Sequence, residues 1–415
     1  MNRMRILLVT PMPPQPQAPG AIPLVLHAEL TGLIAHHTIT LVTVAGPDPT
    51  EWAALDRLQA MGIDVQAVRR SEPYGLRRWQ RRWRWASTWL KGQYPWRTIW
   101  FWEPEVQCIL NRLLQERVFD LVLVEDNAMG IYHYGTSTPT VFTEHEVRRS
   151  RPIHWHMGSP SNWLHWAYDE TDWQRWRKYQ PSVWRRFDRI QVFTSRDATA
   201  IRNLAPDLDE RVRINPFGID LPAPLDAERE QPGQILFVGN FTHPPNVDAA
   251  LWLGHEIMPL LRARRSDVCL TLVGIYPPKA VQALACADIR VTGPIPEIEP
   301  FFEQAAVLVA PLRIGGGMRM KVLQALALGK AIVTTPRGAD GLTAAGQRPP
   351  LVVAENAQEI AEATLALLNS SAARRSLGSQ ARAFVAKNFS ASAYAQRIEV
   401  IHEELRSERK AASRA

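Results

Sequence analysis

The chain has 415 residues, 46% of them hydrophobic and 21% charged, which is the balance of a globular protein and excludes a disordered or fibrous one. That length exceeds one ordinary core and predicts two domains of roughly 200 residues each. A formal net charge of +7 calls for an anionic partner, whether nucleotide, membrane surface or nucleic acid, and no apolar run is long enough for a transmembrane helix.

Met4 to Thr10 is a short apolar run closed by Pro11, predicting a buried parallel strand. It leads into a proline-rich loop rather than a signal-peptide cleavage site, so a cytoplasmic location is expected. A helix over 21–35, a strand over 38–44, a helix over 51–61 and a strand over 64–68 follow. After an interruption rich in arginine and tryptophan come a helix over 105–115, strands over 121–124 and 140–143, a long helix over 163–187 and a strand over 189–193. Thr194-Ser195-Arg196-Asp197 then reads as a helix N-cap. Strands alternating with helices mean a doubly wound parallel sheet. Periodicity vanishes over 215–233, where Pro216, Pro222, Pro224 and Pro232 mark an interdomain linker. The alternation then restarts with a strand over 235–239, a helix over 247–262, and strands over 269–274, 289–292 and 307–311. A helix over 318–328 and strands over 331–335 and 351–353 continue it, and 356–409 reads as helical throughout. The predicted organisation is an N-terminal domain 1–214, the linker, a C-terminal domain 234–390, and a terminal helix and tail 391–415. Cys108, Cys269 and Cys286 are odd in number and lack metal-ligand spacing, so they are expected to be buried packing residues rather than disulfides or a zinc site.

The strongest local signal is the run from Ala310 to Ala325, in which a buried strand ends at Pro311, Gly315, Gly316 and Gly317 follow, and a helix begins with Arg319 and Lys321 in its first turn. Cations are disfavoured at a helix N-terminus, where the macrodipole is already positive, so an anion is needed to compensate them. Glycines that let backbone N–H groups approach closely, the dipole and the two cations together predict a phosphate-binding site. The alternative is a surface turn with solvated charges, which leaves the misplaced cations unexplained.

This run, with Leu326 to Thr335 and Gly338-Ala339-Asp340-Gly341-Leu342, resembles the donor-site signature of the retaining glycosyltransferases of the GT-B fold, family 4. Ile235 to Phe241 with Pro245 to Ala249 resembles the start of that family's C-terminal domain, and Asn215 to Asp220 its linker. The similarity covers roughly 190–390 well and the first 150 residues loosely. It implies an α/β GT-B fold, two Rossmann-like doubly wound domains facing a central cleft with a C-terminal helical segment. It also implies a nucleotide-diphosphate sugar donor held by the second domain, and a saccharide or lipid-linked acceptor held mainly by the first. On the donor side it points to Gly239, Arg313, Gly315, Gly316, Gly317, Met318, Arg319, Lys321, Val322 and Gln324, with Arg319 and Lys321 neutralising the leaving diphosphate in place of a metal ion, so that neither metal nor cofactor is required. The base would lie against Gly293, Pro294 and Ile295. His145 follows an N-domain strand where the family places a histidine facing the donor sugar, and Gly20 and Glu144 fall on the acceptor side. The sequence departs from the family where a Leu-Glu-Ala triplet reads Leu323-Gln324-Ala325, where an earlier glutamate falls on Gly316, and where Asn240 and Asn246 stand near a usual basic pair. Those departures leave open a protein that binds nucleotide sugar without turnover, or a nucleotide-sugar epimerase.

Thirteen of the 15 tryptophans fall in 79–102 and 155–184. Residues 77–102 hold seven tryptophans, seven basic residues and no acid, with Leu76, Trp79, Trp83, Ala86 and Leu90 at helical spacing on one side. Three readings fit: peripheral contact with the inner face of the cytoplasmic membrane, a helix packing its tryptophans on the domain or around an acceptor, and single-stranded nucleic acid. Nucleic acid is the weakest of them, since no such binding module accompanies the segment. In the second cluster, Trp155, Trp163, Trp166, Trp173, Trp176 and Trp184 alternate with His154, His156 and His165; sugar stacking is open there, and no carboxylate geometry supports a metal.

Overall fold

The computed structural model describes residues 3–18, 20–70, 78–90, 92–148, 163–344 and 346–412. Two compact units emerge: Met1–Ala18, Ile22–Gly218 and Ala391–Ala415 form the first, and Ile219–Ser390 with Pro19–Ala21 the second.

The first unit runs β1 (Arg5–Thr10), α1 (Ala21–Ile34), β2 (Thr38–Ala45), α2 (Pro49–Ala60), β3 (Asp64–Arg69), α3 (Arg78–Leu90), α4 (Trp96–Trp100) and α5 (Pro104–Glu116). It continues with β4 (Leu121–Glu125), β5 (Thr140–Glu144), α6 (Trp163–Trp184), β6 (Arg189–Val192), α7 (Ser195–Leu204) and β7 (Val212–Ile214). These strands form one parallel sheet in the order β3-β2-β1-β4-β5-β6-β7. Their near-continuous apolar runs follow from burial on both faces. Leu7 and Val9 face a layer containing Leu110, Trp176 and Trp184, while Ile6 and Leu8 face Leu30, Leu33, Tyr394, Ile398 and Leu405. Thr194 caps α7 by accepting from the Asp197 N–H at 3.0 Å, as the sequence predicts.

The second unit runs β8 (Gln234–Val238), α8 (Pro244–Trp252), α9 (Met258–Arg262), β9 (Cys269–Val273), α10 (Lys279–Gln282), β10 (Ile289–Val291) and α11 (Glu299–Gln304). After these come β11 (Val307–Ala310), α12 (Met320–Ala327), β12 (Ala331–Thr334), β13 (Val352–Val353), α13 (Ala357–Leu368) and α14 (Ser371–Asn388). Its sheet, again parallel, has the order β10-β9-β8-β11-β12-β13. The last helix, α15 (Ala391–Ala412), belongs to the first unit and supplies the Tyr394, Ile398 and Leu405 named above.

Several expectations need correction. The helix predicted over 247–262 is broken by a π turn at Leu253–Ile257, just before Pro259, which has no N–H to carry the α pattern on. The helical stretch 356–409 is three helices, with α13 and α14 started by Asn356 and Ser370 accepting from Glu359 and Ala373 N–H groups. All three cysteines are exposed free thiols rather than core residues; Cys108 lies on the outer side of α5, and Cys269 opens β9. β7, α4, α10 and α11 carry too few residues for a periodic signal, and the sequence does not reveal them.

Candidate functional site

In an open parallel sheet, ligands bind beyond the carboxyl ends of the strands where the strand order reverses. In the second sheet that point lies between β8 and β11, which pair with Leu236 opposite Leu308. β8 ends into Gly239 and Asn240, and β11 ends into Pro311 and the glycine loop, so the topology brings two of the predicted stretches side by side.

Gly315 and Gly317 have φ of +99° and +73°, conformations that a side chain strains. A Cβ at Gly315 would also lie 3.0 Å from the Arg319 guanidinium and from Pro245. Arg319 is the residue before α12 and uses no side-chain cap. Lys321 is partly buried and donates to Asn246 Oδ1 at 2.5 Å, with its ammonium 4.6 Å from the Phe237 ring centre. Burial first, and the Arg319 charge second, push the Lys321 amine down to about 7. Asn246 Nδ2 in turn donates to the Asn240 carbonyl at 2.6 Å, and a Cβ on Gly239 would meet Asn246 at 2.9 Å. The two asparagines that stand near the family's usual basic pair therefore brace the lysine.

Arg313 is engaged elsewhere, held by both oxygens of Asp248 at 2.6 and 3.1 Å and stacked 4.6 Å from the Trp252 ring centre. Val322 is fully buried in the core, Met318 is nearly so, and Gln324 is partly buried on α12. Gly293, Pro294 and Ile295 follow β10, with two strands between it and β11 in the sheet order; Gly293 has φ +70°. Gly20 directly precedes α1.

In the first unit, β4 pairs with β5 so that Glu125 stands opposite Thr143, and the chain leaves the two strands as Glu125-Asp126-Asn127 and Glu144-His145. His145 Nε2 lies 3.0 Å from Glu125 Oε2, while Glu125 Oε1 accepts from the Thr143 hydroxyl at 2.7 Å. A carboxylate only accepts, so Nε2 carries the proton and Nδ1 is the other reactive position of the ring. Burial alone would depress the imidazolium, but the hydrogen bond and charge of Glu125, aided by Asp126 and Glu144, outweigh it and raise the His145 pKa. The Phe193 ring meets the imidazole edge-on at 5.0 Å.

Asp126 has the left-handed φ of +72°, rare for a non-glycine residue, and is buried. Its oxygens accept from the Ala128 N–H and from Arg97, each at 2.8 Å. Burial opposes its charge, yet Arg97 and His145 hold the Asp126 carboxyl below the usual range. Glu144 is fully buried, and burial pushes it up to about 7, although Trp184 Nε1 and Asn127 donate to it at 3.0 and 2.9 Å. Of the residues gathered here, the sequence singles out His145 and Glu144 but not Glu125, Asp126 or Arg97. Two acids closing the apolar run Leu121 to Val124 were the available signal.

Trp176 and Trp184 of the second tryptophan cluster are fully buried, the first with the Arg148 guanidinium 4.2 Å from its ring centre, so these two pack the core. His154, Trp155 and His156 lie outside the described residues.

Residues 232–370 match the family described as Glycosyl transferases group 1. A 44.6 kDa protein in the cps region of Klebsiella pneumoniae is 21% identical over 170 residues, which are 37% of this chain and 42% of that relative, under half its length. HepE of Anabaena, solved with UDP-glucose, superposes with a TM-score of 0.63 at 14% identity, over 98% of this chain and 100% of that one. Sucrose-phosphate synthase of Thermosynechococcus elongatus gives 0.65 at 16% identity, again over 98% and 100%. At such identities the structural likeness carries the fold alone. The chain therefore has the GT-B fold and carries, over residues 232–370, a domain of the glycosyl transferases group 1 family.

Proposed function

We propose that this protein transfers a hexose from a nucleotide-diphosphate sugar to a saccharide or lipid-linked acceptor, with retention of configuration and without a metal ion. The observation that carries the reading is the cationic start of α12. Lys321 is pushed down to about 7 and has no carboxylate partner among the described residues, and Arg319 stands beside it at a loop whose glycines permit close approach. A diphosphate supplies the missing negative charge. HepE was solved with UDP and with UDP-glucose, which makes uridine the first base to test.

In the proposed step the bond between the anomeric carbon and the diphosphate oxygen breaks as the acceptor oxygen attaches on the same face. The acceptor proton passes to the departing diphosphate, whose charge Arg319 and Lys321 take up. No enzymic nucleophile is needed. The likeness to a protein in a cps region favours work in cytoplasmic polysaccharide assembly.

The test is a thermal-shift panel of nucleoside diphosphates with chelator present, followed by an assay for diphosphate released from each nucleotide sugar. Ligand at about a hundredfold its Kd stabilises by about 2.7 kcal/mol, a shift of several degrees. A slow release of nucleoside diphosphate without added metal is the expected second result. No stabilisation by any nucleoside diphosphate overturns the reading; stabilisation without release from any nucleotide sugar, with acceptor or without, reduces the protein to a binder.

A further inference from the structure

The tryptophans of α3 divide into two sets. Trp85 is buried, its ring 5.6 Å from Trp96 and 4.9 Å from Trp100 of α4, and Trp89 stacks on Tyr168 at 6.2 Å beneath the Arg175 guanidinium at 4.0 Å. These two hold the helix on the first unit. Trp79, Trp83 and Leu90 are 66, 69 and 73% exposed, and Ala86 between them is exposed as well. Their spacing of four, three and four residues puts all four on one stripe of the helix. Among the tryptophans whose side chains are described, no other is exposed.

We infer that this stripe docks on an anionic lipid bilayer, with α3 lying in the plane of the interface. Residues 78–90 carry four arginines and no acid, and 77–102 as a whole seven basic residues and no acid, a charge complementary to acidic headgroups. Indole rings are at home at headgroup depth, and Leu90 and Ala86 extend the same apolar line. A second copy of this chain is a poor occupant, because two helices of this charge repel each other. Nucleic acid would use the indoles as stacking platforms but has no use for Leu90 or Ala86, which offer no ring.

α3 is also tied to the His145 cluster. Trp85 rests on α4, whose Arg97 pairs with Asp126 next to Glu125. A docked helix is thus packed against the body that positions the histidine.

The experiment is co-sedimentation of the full chain with vesicles of phosphatidylcholine alone and of phosphatidylcholine with phosphatidylglycerol. Binding to the anionic vesicles should exceed binding to the neutral ones by about tenfold or more and weaken as salt rises. A Trp79→Ser, Trp83→Ser double variant and a Leu90→Glu variant alter exposed positions only, and each should lose binding by about tenfold while melting as the parent does. Equal sedimentation of parent and variants, or no binding of the parent to anionic vesicles, overturns the inference. So does stripe-dependent self-association or oligonucleotide binding in place of vesicle binding. Nucleotide stabilisation should be the same in all of these proteins, which separates this surface from the donor reading.

Discussion

In the first unit Arg97 reaches Asp126 and His145 reaches Glu125, whereas in the second Lys321 reaches, among the described residues, only an amide oxygen and the face of a phenyl ring. A cation buried beside a carboxylate is electrostatically complete without a ligand; one buried without it is destabilised until an anion arrives. Under the proposed function the difference divides the work: the cluster at the ends of β4 and β5 would orient a histidine, and the start of α12 would take up the diphosphate.

The sharpest way to break that contrast is Lys321→Ala. Loss of a charge-assisted bond to phosphate should weaken nucleoside diphosphate binding by about ten- to a hundredfold, measured by calorimetry. The pH dependence carries the diagnosis. Because the amine sits at about 7 without ligand and the diphosphate binds the ammonium form, affinity should fall as pH rises above 7, with a proton taken up on binding. Heats measured in buffers of different ionisation enthalpy reveal that proton, and the alanine variant should show none. Unchanged affinity, or binding without proton uptake above pH 7, would remove Lys321 from the site. In the unliganded protein the sign is the opposite of a stabilising lysine. The unfolded chain binds the proton more tightly, so stability should rise with pH from about 7 towards 10.5.

Much of this contrast was legible in the sequence, and what was not has a physical cause. The parallel strands announced themselves because burial on both faces writes unbroken apolar runs such as Ile6 to Val9 and Val307 to Ala310. The loop proposed here to hold the donor stood out because cations at a helix start are locally anomalous. Lys321's bracing by Asn246 lay out of reach, since the two residues are 75 positions apart and meet only once β8 and β11 pair. The Glu125 and His145 pair likewise depends on the β4–β5 register. The exposed thiols were misread because composition says that cysteines are usually inside, and only placement on an outer face says otherwise.

Glu125→Gln tests the positioning side with a smaller expected effect. A glutamine oxygen still accepts from Nε2, so geometry survives while the charge that raises the His145 pKa is gone. The limb of the kcat/KM profile governed by His145 should move to lower pH, with a loss of about tenfold in rate at the pH where the parent is fastest. A rate loss with the profile unmoved would make Glu125 a packing residue alone.

The smallest effect belongs to Glu144, which lies beside both Asn127 and Trp184 and concerns stability rather than ligand. Its carboxyl is raised from 4.5 to about 7, chiefly by burial, so the folded state holds a proton that the unfolded chain has released. The contribution is complete below about 4.5, declines as pH rises through about 7 and is absent above, where the buried charge opposes folding by about 1–3 kcal/mol. Glu144→Gln should abolish that decline at little cost, because Asn127 Oδ1 is buried without a partner among the described residues and a turn of its amide offers an acceptor to the new side-chain N–H. Melting curves at pH 5 and pH 8 decide it. The parent should lose a few degrees more than the variant between the two, and equal losses would mean that Glu144 is ionised throughout and that its two donors, not its proton, keep it buried.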